Sequence, residues 1–475
     1  MSDSHPDNTP QPRAHQPSVA PGQVDRMLRR RFLQIGGAGF LGLTLPRLLR
    51  AEGASAGSGP AKSVIFLYQF GGPSHLDTFD MKPDAAEGIR GPLSSIPSVV
   101  PGMPVCEHLP EMAKVMDKVT LIRSMHHTMK NHNSASYYAL TGHAPPVDDI
   151  RLRDSDELFP AYGSIVDRFS PNTDGMPTFV AYPHVIRDGA ITPGQRATFL
   201  GKAHDPLLVT EDPNDPNFAL PELSLPDTLD VGRLQNRRAL QQIVNQQARL
   251  LDYSATARGI DAYYEKALSM LNSKRVRDAF DLSAEPDSVR DRYGRSEYGQ
   301  SCLLARRLVE SGVRFVNVYF SSSIGGQSKT SGGWDTHGFN NTRMYPIIKA
   351  RHLPITDQTL PTLLNDLDER GLLDETLVVW MGEFGRTPKI NANISRDHWP
   401  QCYTVLLAGG GVKRGFVYGE SDRNGTYPAV DMVRPDDLAA TMFSLLGIDP
   451  ETEIRDPLDR PFPIAAGRPV TGVFA

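Results

Sequence analysis

Four short runs of almost unbroken apolar residues constrain this chain most: 62–70, 313–320, 376–382 and 403–409. A strand with one wet face alternates apolar and polar residues, whereas a strand covered on both faces reads as a continuous apolar run. The second run follows a helical pattern over 298–311. The third follows one with Leu360, Leu363, Leu364 and Leu367 on a single face. Helix-then-strand alternation with such strands predicts an α/β fold, with a mainly parallel sheet and helices on both faces. From about 206 to 291 the chain turns polar and helix-rich, which predicts a helical insertion or cap on that sheet.

Residues 1–60 read differently from the rest. The first two dozen are rich in Pro, Gln, Asp, His and Ser and show no apolar periodicity, so they cannot offset chain entropy. Arg29-Arg30-Arg31-Phe32-Leu33 then leads into a Gly-laced apolar stretch and the small residues Ala54-Ser55-Ala56. That order describes a secretory signal, and the paired arginines suit the twin-arginine route, which exports folded proteins. The apolar stretch is shorter than the roughly 20 residues that a stable membrane helix needs. The expectation is a periplasmic or extracellular domain over 61–475 with no membrane span once the signal is removed.

Charge and cysteine content narrow the functional classes. A net charge of −5 argues against nucleic-acid coating and against binding to anionic membranes. Cys106, Cys302 and Cys402 are too few and too far apart for a disulfide framework or a cysteine zinc cluster.

The polar chemistry follows the predicted strands, where open α/β sheets bind their ligands. After the first strand comes Gly71-Gly72-Pro73-Ser74-His75-Leu76-Asp77-Thr78-Phe79-Asp80. After the second comes Gly332-Gly333-Trp334-Asp335-Thr336-His337-Gly338. The third is followed by Gly382-Glu383-Phe384-Gly385-Arg386-Thr387-Pro388, then Asp397-His398-Trp399-Pro400. In an extended segment Asp335 and His337 point the same way, as two ligands of one ion would. Carboxylates and imidazoles together suit zinc, manganese or a similar divalent ion. Each piece also has a plain structural use: a loop cap for Asp335-x-His337, a turn for Asp397-His398, an ion pair between Glu383 and Arg386. A further concentration, 125–143, gathers His, Asn and Ser ahead of a small-residue helix that Gly142 closes. It reads either as an anion site at a helix start or as a helix capped by Asn131 or Asn133.

From 63 almost to the end, these motifs and the tail at 437–448 resemble the domain-of-unknown-function 1501 family, grouped with the alkaline phosphatase and sulfatase superfamily. The resemblance implies an alkaline-phosphatase-like fold. It also implies a first metal held by Asp335, His337 and His398. Glu383 matches the acid that serves a second metal, but Phe384 stands where an imidazole is usual, and His75 or Asp77 would substitute for the first-strand Asp. The nucleophile falls near His132, Asn133 and Ser134. The formylglycine motif of orthodox sulfatases is missing, since Cys302-Leu303-Leu304-Ala305-Arg306 has Leu at its third place.

The resulting expectation is an exported hydrolase of phosphate or sulfate esters that uses zinc, manganese or calcium. Ser134 or a water attacks, His132 is the acid or base, Arg386 grips an oxygen of the anionic ester, and Asp397 orients an imidazole. The alternative is a non-catalytic extracytoplasmic binding or surface-associated protein with a degenerate hydrolase fold.

Overall fold

In a computed structural model, residues 59–218, 273–320, 333–338 and 343–475 are described. The signal with Arg29 and Arg30 lies outside the described residues, as does most of the expected insertion. The four apolar runs form strands of one eight-stranded sheet, which contains β1 Ser63–Tyr68, β2 Val119–Met125, β3 Phe179–Tyr182, β4 Leu207–Leu208, β5 Phe315–Tyr319, β6 Thr376–Met381, β7 Tyr403–Ala408 and β8 Phe416–Tyr418. Their order across the sheet is β8-β2-β7-β6-β1-β5-β3-β4.

β1 is central and buried throughout, paired in parallel with β6 on one side and β5 on the other. Its alternate residues enter two separate cores. Ile65 and Leu67 meet α3 Glu297–Glu310 and α4 Leu353–Glu369. Val64, Phe66 and Tyr68 meet α1 His132–Thr141, α2 Tyr162–Phe169 and α5 Pro435–Leu445. Each fully buried large apolar side chain contributes about 1.5–3 kcal/mol, which is why the run shows no polar break.

β7 departs from the expectation of strand-after-helix. It runs antiparallel to both neighbours, β6 and β2, inside a sheet whose other pairings are parallel. No helix lies between 381 and 403, and parallel neighbours need a crossover of a dozen or more residues, usually a helix. Four strands were not legible. β3, β4 and β8 are only two to four residues long. In β2 the polar Thr120, Arg123 and Ser124 interrupt the apolar run. All three donate to backbone carbonyls, Thr120 to Lys413, Arg123 to Phe79 and Ser124 to Asp431. β4 also falls at the start of the expected helical insertion; of that segment, the described part beyond 273 is helical, at Lys274–Phe280 and Asp287–Tyr293. Among the described residues no helix is long and apolar enough to cross a membrane.

Candidate metal centre

The Gly71-Gly72 pair ends β1 with both residues at positive φ, +103° and +78°. A Cβ on Gly71 would lie 2.1 Å from the amide nitrogen of Asp335, and one on Gly72 would lie 2.6 Å from the Phe384 ring. These positions therefore need glycine for space as well as for conformation. Trp334 fastens the incoming segment: its amide donates to the Phe70 carbonyl and its indole N–H to Gln69 Oε1, both at 3.0 Å. The close approach carries Asp335 over the carboxyl end of β1.

Three imidazoles meet Asp335 there through their Nε2 atoms. His337 and His132 lie 3.2 and 3.4 Å from Oδ2, and His398 lies 3.1 Å from Oδ1. His132, Asp335 and His398 present atoms close enough together to hold one metal ion. The other side of two rings is anchored. His132 Nδ1 donates to Glu383 Oε1 at 2.7 Å, and that oxygen also accepts the Gly71 amide at 2.8 Å. His398 Nδ1 faces the Lys130 carbonyl at 3.1 Å. Such anchoring through the far nitrogen is the usual support of metal-binding histidines. Phe384 stacks on His398 with ring centres 4.4 Å apart, and Phe70 lies 5.1 Å from His132.

The charge balance fits a cation. Burial disfavours charge on His132, but Asp335 and Glu383 override it and push its pKa up to about 10. Burial and the neighbouring His132 charge push His398 down to about 3. Asp335 is also buried, yet the His132 charge and the imidazole contacts hold it well below the usual carboxylate range. A neutral His398 has one N–H but faces two acceptors, the Lys130 carbonyl and Asp335 Oδ1. Whichever it satisfies, the other contact sets acceptor against acceptor. A cation between Nε2 and Asp335 removes that conflict, so the residues present suit a divalent ion.

The expected site residues divide between this group and the scaffold around it. Asp335, His337 and His398 come together as anticipated. His132 joins them through Nε2 and has both nitrogens engaged with carboxylates, where an acid–base role was expected. Glu383 is fully buried behind His132 instead of among the ligand atoms. His75 Nε2 meets the Gly425 carbonyl at 2.8 Å. Asp77 pairs with Arg396 at 2.7 Å and accepts from Ser74 at 2.5 Å. Neither is brought to the group. Asp397 is exposed and accepts from Asn391 at 2.9 Å, while the same amide donates to the His337 carbonyl at 3.1 Å. It braces the loop and touches no imidazole.

Arg386, expected to grip substrate, is completely buried. Its guanidinium donates to the carbonyls of Gly71, Gly72, Trp334 and Arg396 and lies 3.2 Å from Asp335 Oδ1. Asn133 and Ser134 are likewise turned to structure. Asn133 donates to the Ile150 carbonyl at 2.7 Å. Ser134 Oγ bonds the Asp149 carbonyl at 3.1 Å and accepts the Asp149 amide at 2.9 Å. Asp148 takes the amides of Lys130 and Asn131 that lead into α1, which removes them from service to an anion. Asn131 is the N-cap by position but makes no side-chain cap bond.

Sequence reasoning missed three supports: the Gly71 amide, the Lys130 carbonyl and His127. The first two are backbone groups with no residue signature. His127 accepts the Met129 amide at 3.1 Å and donates to the Glu383 carbonyl at 2.6 Å. Burial keeps it neutral, with a pKa of about 4. Its one signal was membership of the His-rich stretch.

No curated protein sequence matches the chain. Among solved structures it is similar to a protein in the alkaline phosphatase superfamily from Vibrio parahaemolyticus, at 11% identity over 88% of this chain and 72% of that one, with a TM-score of 0.41. It is similar to a sulfatase from Pseudoalteromonas sp. at 13% identity, over 85% and 70% of the two chains, with a TM-score of 0.38. A phosphonate monoester hydrolase from Silicibacter pomeroyi gives 13% identity, 86% and 75% coverage and a TM-score of 0.33. The model of the family described as protein of unknown function (DUF1501) matches residues 61–474, and the chain belongs to that family.

Proposed function

We propose that this protein is an exported, metal-dependent hydrolase of phosphate or sulfate esters. The observation that carries the reading is the convergence of three imidazole nitrogens on the buried Asp335 at the carboxyl edge of the sheet. His132, Asp335 and His398 would hold the ion, with His337 beside them. When bound, the ion would polarise an anionic ester oxygen and stabilise the charge that develops there. Glu383 holds the His132 ring in place, Arg386 holds Asp335, and Phe70 and Phe384 keep water from the flanks. With Ser134 tied to the 147–149 loop, water is the attacking group. Ser134→Ala should therefore leave turnover within about threefold of wild type, because removing a hydroxyl held by such bonds costs about 1 kcal/mol of stability. Loss of all turnover in a folded Ser134→Ala protein would restore the serine as nucleophile.

A binding protein without catalysis is the second reading. The observation that favours it is Phe384, packed against His398 where the family resemblance implies a ligand of a second ion. Metal analysis of protein purified without chelator, followed by a panel of aryl phosphates, phosphodiesters and sulfates, separates the two. A stoichiometric ion with turnover supports the hydrolase. An ion with vanadate binding and no turnover supports the binder, and protein without an ion defeats the metal site itself.

The export part of the proposal rests on Arg29 and Arg30 ahead of the short apolar stretch. Changing both to Lys should hold the precursor in the cytoplasm, as followed by cell fractionation. Normal delivery of that variant would refute the twin-arginine route.

A further inference from the structure

The bond from His132 Nδ1 occupies only one oxygen of Glu383. Oε1 takes that bond at 2.7 Å and the Gly71 amide at 2.8 Å. Oε2 is buried and completes no hydrogen bond among the described residues. A bare oxygen on a fully buried carboxylate is costly, because its charge has left water without full compensation. Native proteins keep few such atoms, and those they keep are served by a neighbouring group or an ordered water.

Two hydroxyls beside Oε2 are in the same condition. Tyr68 is fully buried at the end of β1, next to both Glu383 and Ser136. Its hydroxyl and that of the buried Ser136 are likewise unbonded among the described residues. The fold brings the three together. Tyr68 pairs in register with Met381 of β6, two residues before Glu383. Ser136 follows His132 by four residues in α1, so the two share one face of the helix. Burial, and then the Glu383 charge, push the Tyr68 hydroxyl well above its ordinary value, so it keeps its proton to donate.

Donors and acceptors match in number. Each hydroxyl has one O–H to give, and a carboxylate oxygen accepts about two. Slight turns of the two side chains, or one internal water touching all three atoms, complete the set; such a water typically makes about three bonds. Bonds to an ionised oxygen are the strong ones. A carboxylate fixed at both oxygens cannot swing, and neither can the imidazole bonded to it.

We propose that Tyr68 and Ser136 are positioning residues of the metal centre: their hydroxyls hold Glu383 Oε2 and, through that carboxylate, the ring of His132. The consequence for an ion rests on the metal-dependent reading of the site; the hold on His132 does not. Cobalt(II) is the probe, because its visible bands report the geometry of its ligands. Tyr68→Phe and Ser136→Ala each remove one oxygen with little change of shape, so both variants should fold. Each should weaken cobalt binding about fivefold and shift its bands, less than the loss of Glu383 itself, because the hydroxyls act one bond further from the ring. In a Glu383→Gln background Tyr68→Phe should change affinity by less than about twofold, since the carboxylate it served is gone. Tyr162→Phe is the control. It removes another buried hydroxyl of the same core, one that lies near Tyr138 and Asp436, and should leave cobalt binding as in wild type. In metal-free protein the His132 Nδ1–H resonance, identified by its loss in His132→Ala, should exchange slowly with solvent in wild type and faster in both variants. Unchanged cobalt affinity in Tyr68→Phe and Ser136→Ala, an equal loss in the Glu383→Gln background, or a His132 proton that exchanges alike in all three proteins would overturn this assignment. Wild type that takes up no cobalt, while the His132 proton responds as expected, would defeat the metal reading and leave the hold on Glu383 standing.

Discussion

Replacing His132 or His398 by alanine is expected to abolish stoichiometric metal binding while preserving the far-UV signature of the sheet. Each replacement removes one of the three groups whose atoms lie close enough to share an ion. Glu383→Gln acts one step back, through the His132 ring, so it should weaken affinity by only about 10–100-fold. Elemental analysis after dialysis, with circular dichroism on the same samples, checks both statements. Stoichiometric metal retained in both alanine variants would end the case for this centre. The proton count offers an independent reading. In protein stripped of metal, Asp335 and Glu383 raise His132 from its ordinary value near 6.5 to about 10. Its charged form therefore adds stability that is complete below the ordinary value and is lost as pH rises through about 10. A metal must displace that proton, so affinity should climb with pH across this window, by up to about tenfold per unit. Calorimetry in two buffers of different ionisation heat should show one proton released at pH 7.5. No release would mean that His132 does not ligate.

Arg386→Met should be the most damaging single change to the fold around the site. Its guanidinium serves four carbonyls and Asp335 from a fully buried position. Removing one partner of a buried charge pair typically costs about 3–5 kcal/mol, because the other charge is left uncompensated. The orphaned carbonyls of Gly71, Gly72 and Trp334 add to that. Arg386→Lys should rescue poorly, since an ammonium has three donors on a flexible stem where the guanidinium has five in a planar fork. The readouts are the chemical-unfolding midpoint and metal content, which should fall together. A substrate-gripping arginine behaves differently: the lysine variant would keep its midpoint and raise KM for an anionic ester. That second pattern would return Arg386 to the role expected from sequence.

Much of the fold was legible because burial on both faces writes itself into composition. The strands at 63, 315, 376 and 403 are continuous apolar runs, and the helices before two of them show a single apolar face. Strand direction was not legible for β7, because a parallel or antiparallel buried strand uses the same residues. Only the missing helix between 381 and 403 distinguishes them. The very short strands at the sheet margins carry too few residues for any periodicity.

At the centre, residue type and position after strands marked out four loops with candidate ligands, and the family resemblance was needed to select Asp335, His337 and His398 from them. Their chemistry is intrinsic to carboxylate and imidazole, and an extended Asp-x-His segment points both side chains one way. The surroundings of Glu383, Arg386, Ser134 and His132 were decided only by tertiary structure. Each can act on a ligand or on the scaffold, and the choice depends on which atom faces which. Glu383 reaches His132 across a sequence separation of 251 residues. Arg386 is consumed by carbonyls that the Gly71-Gly72 turn exposes, and Ser134 by a loop that folds back onto its helix. Backbone carbonyls and amides do much of this positioning. They are the same in every residue, so the fold alone decides where they point.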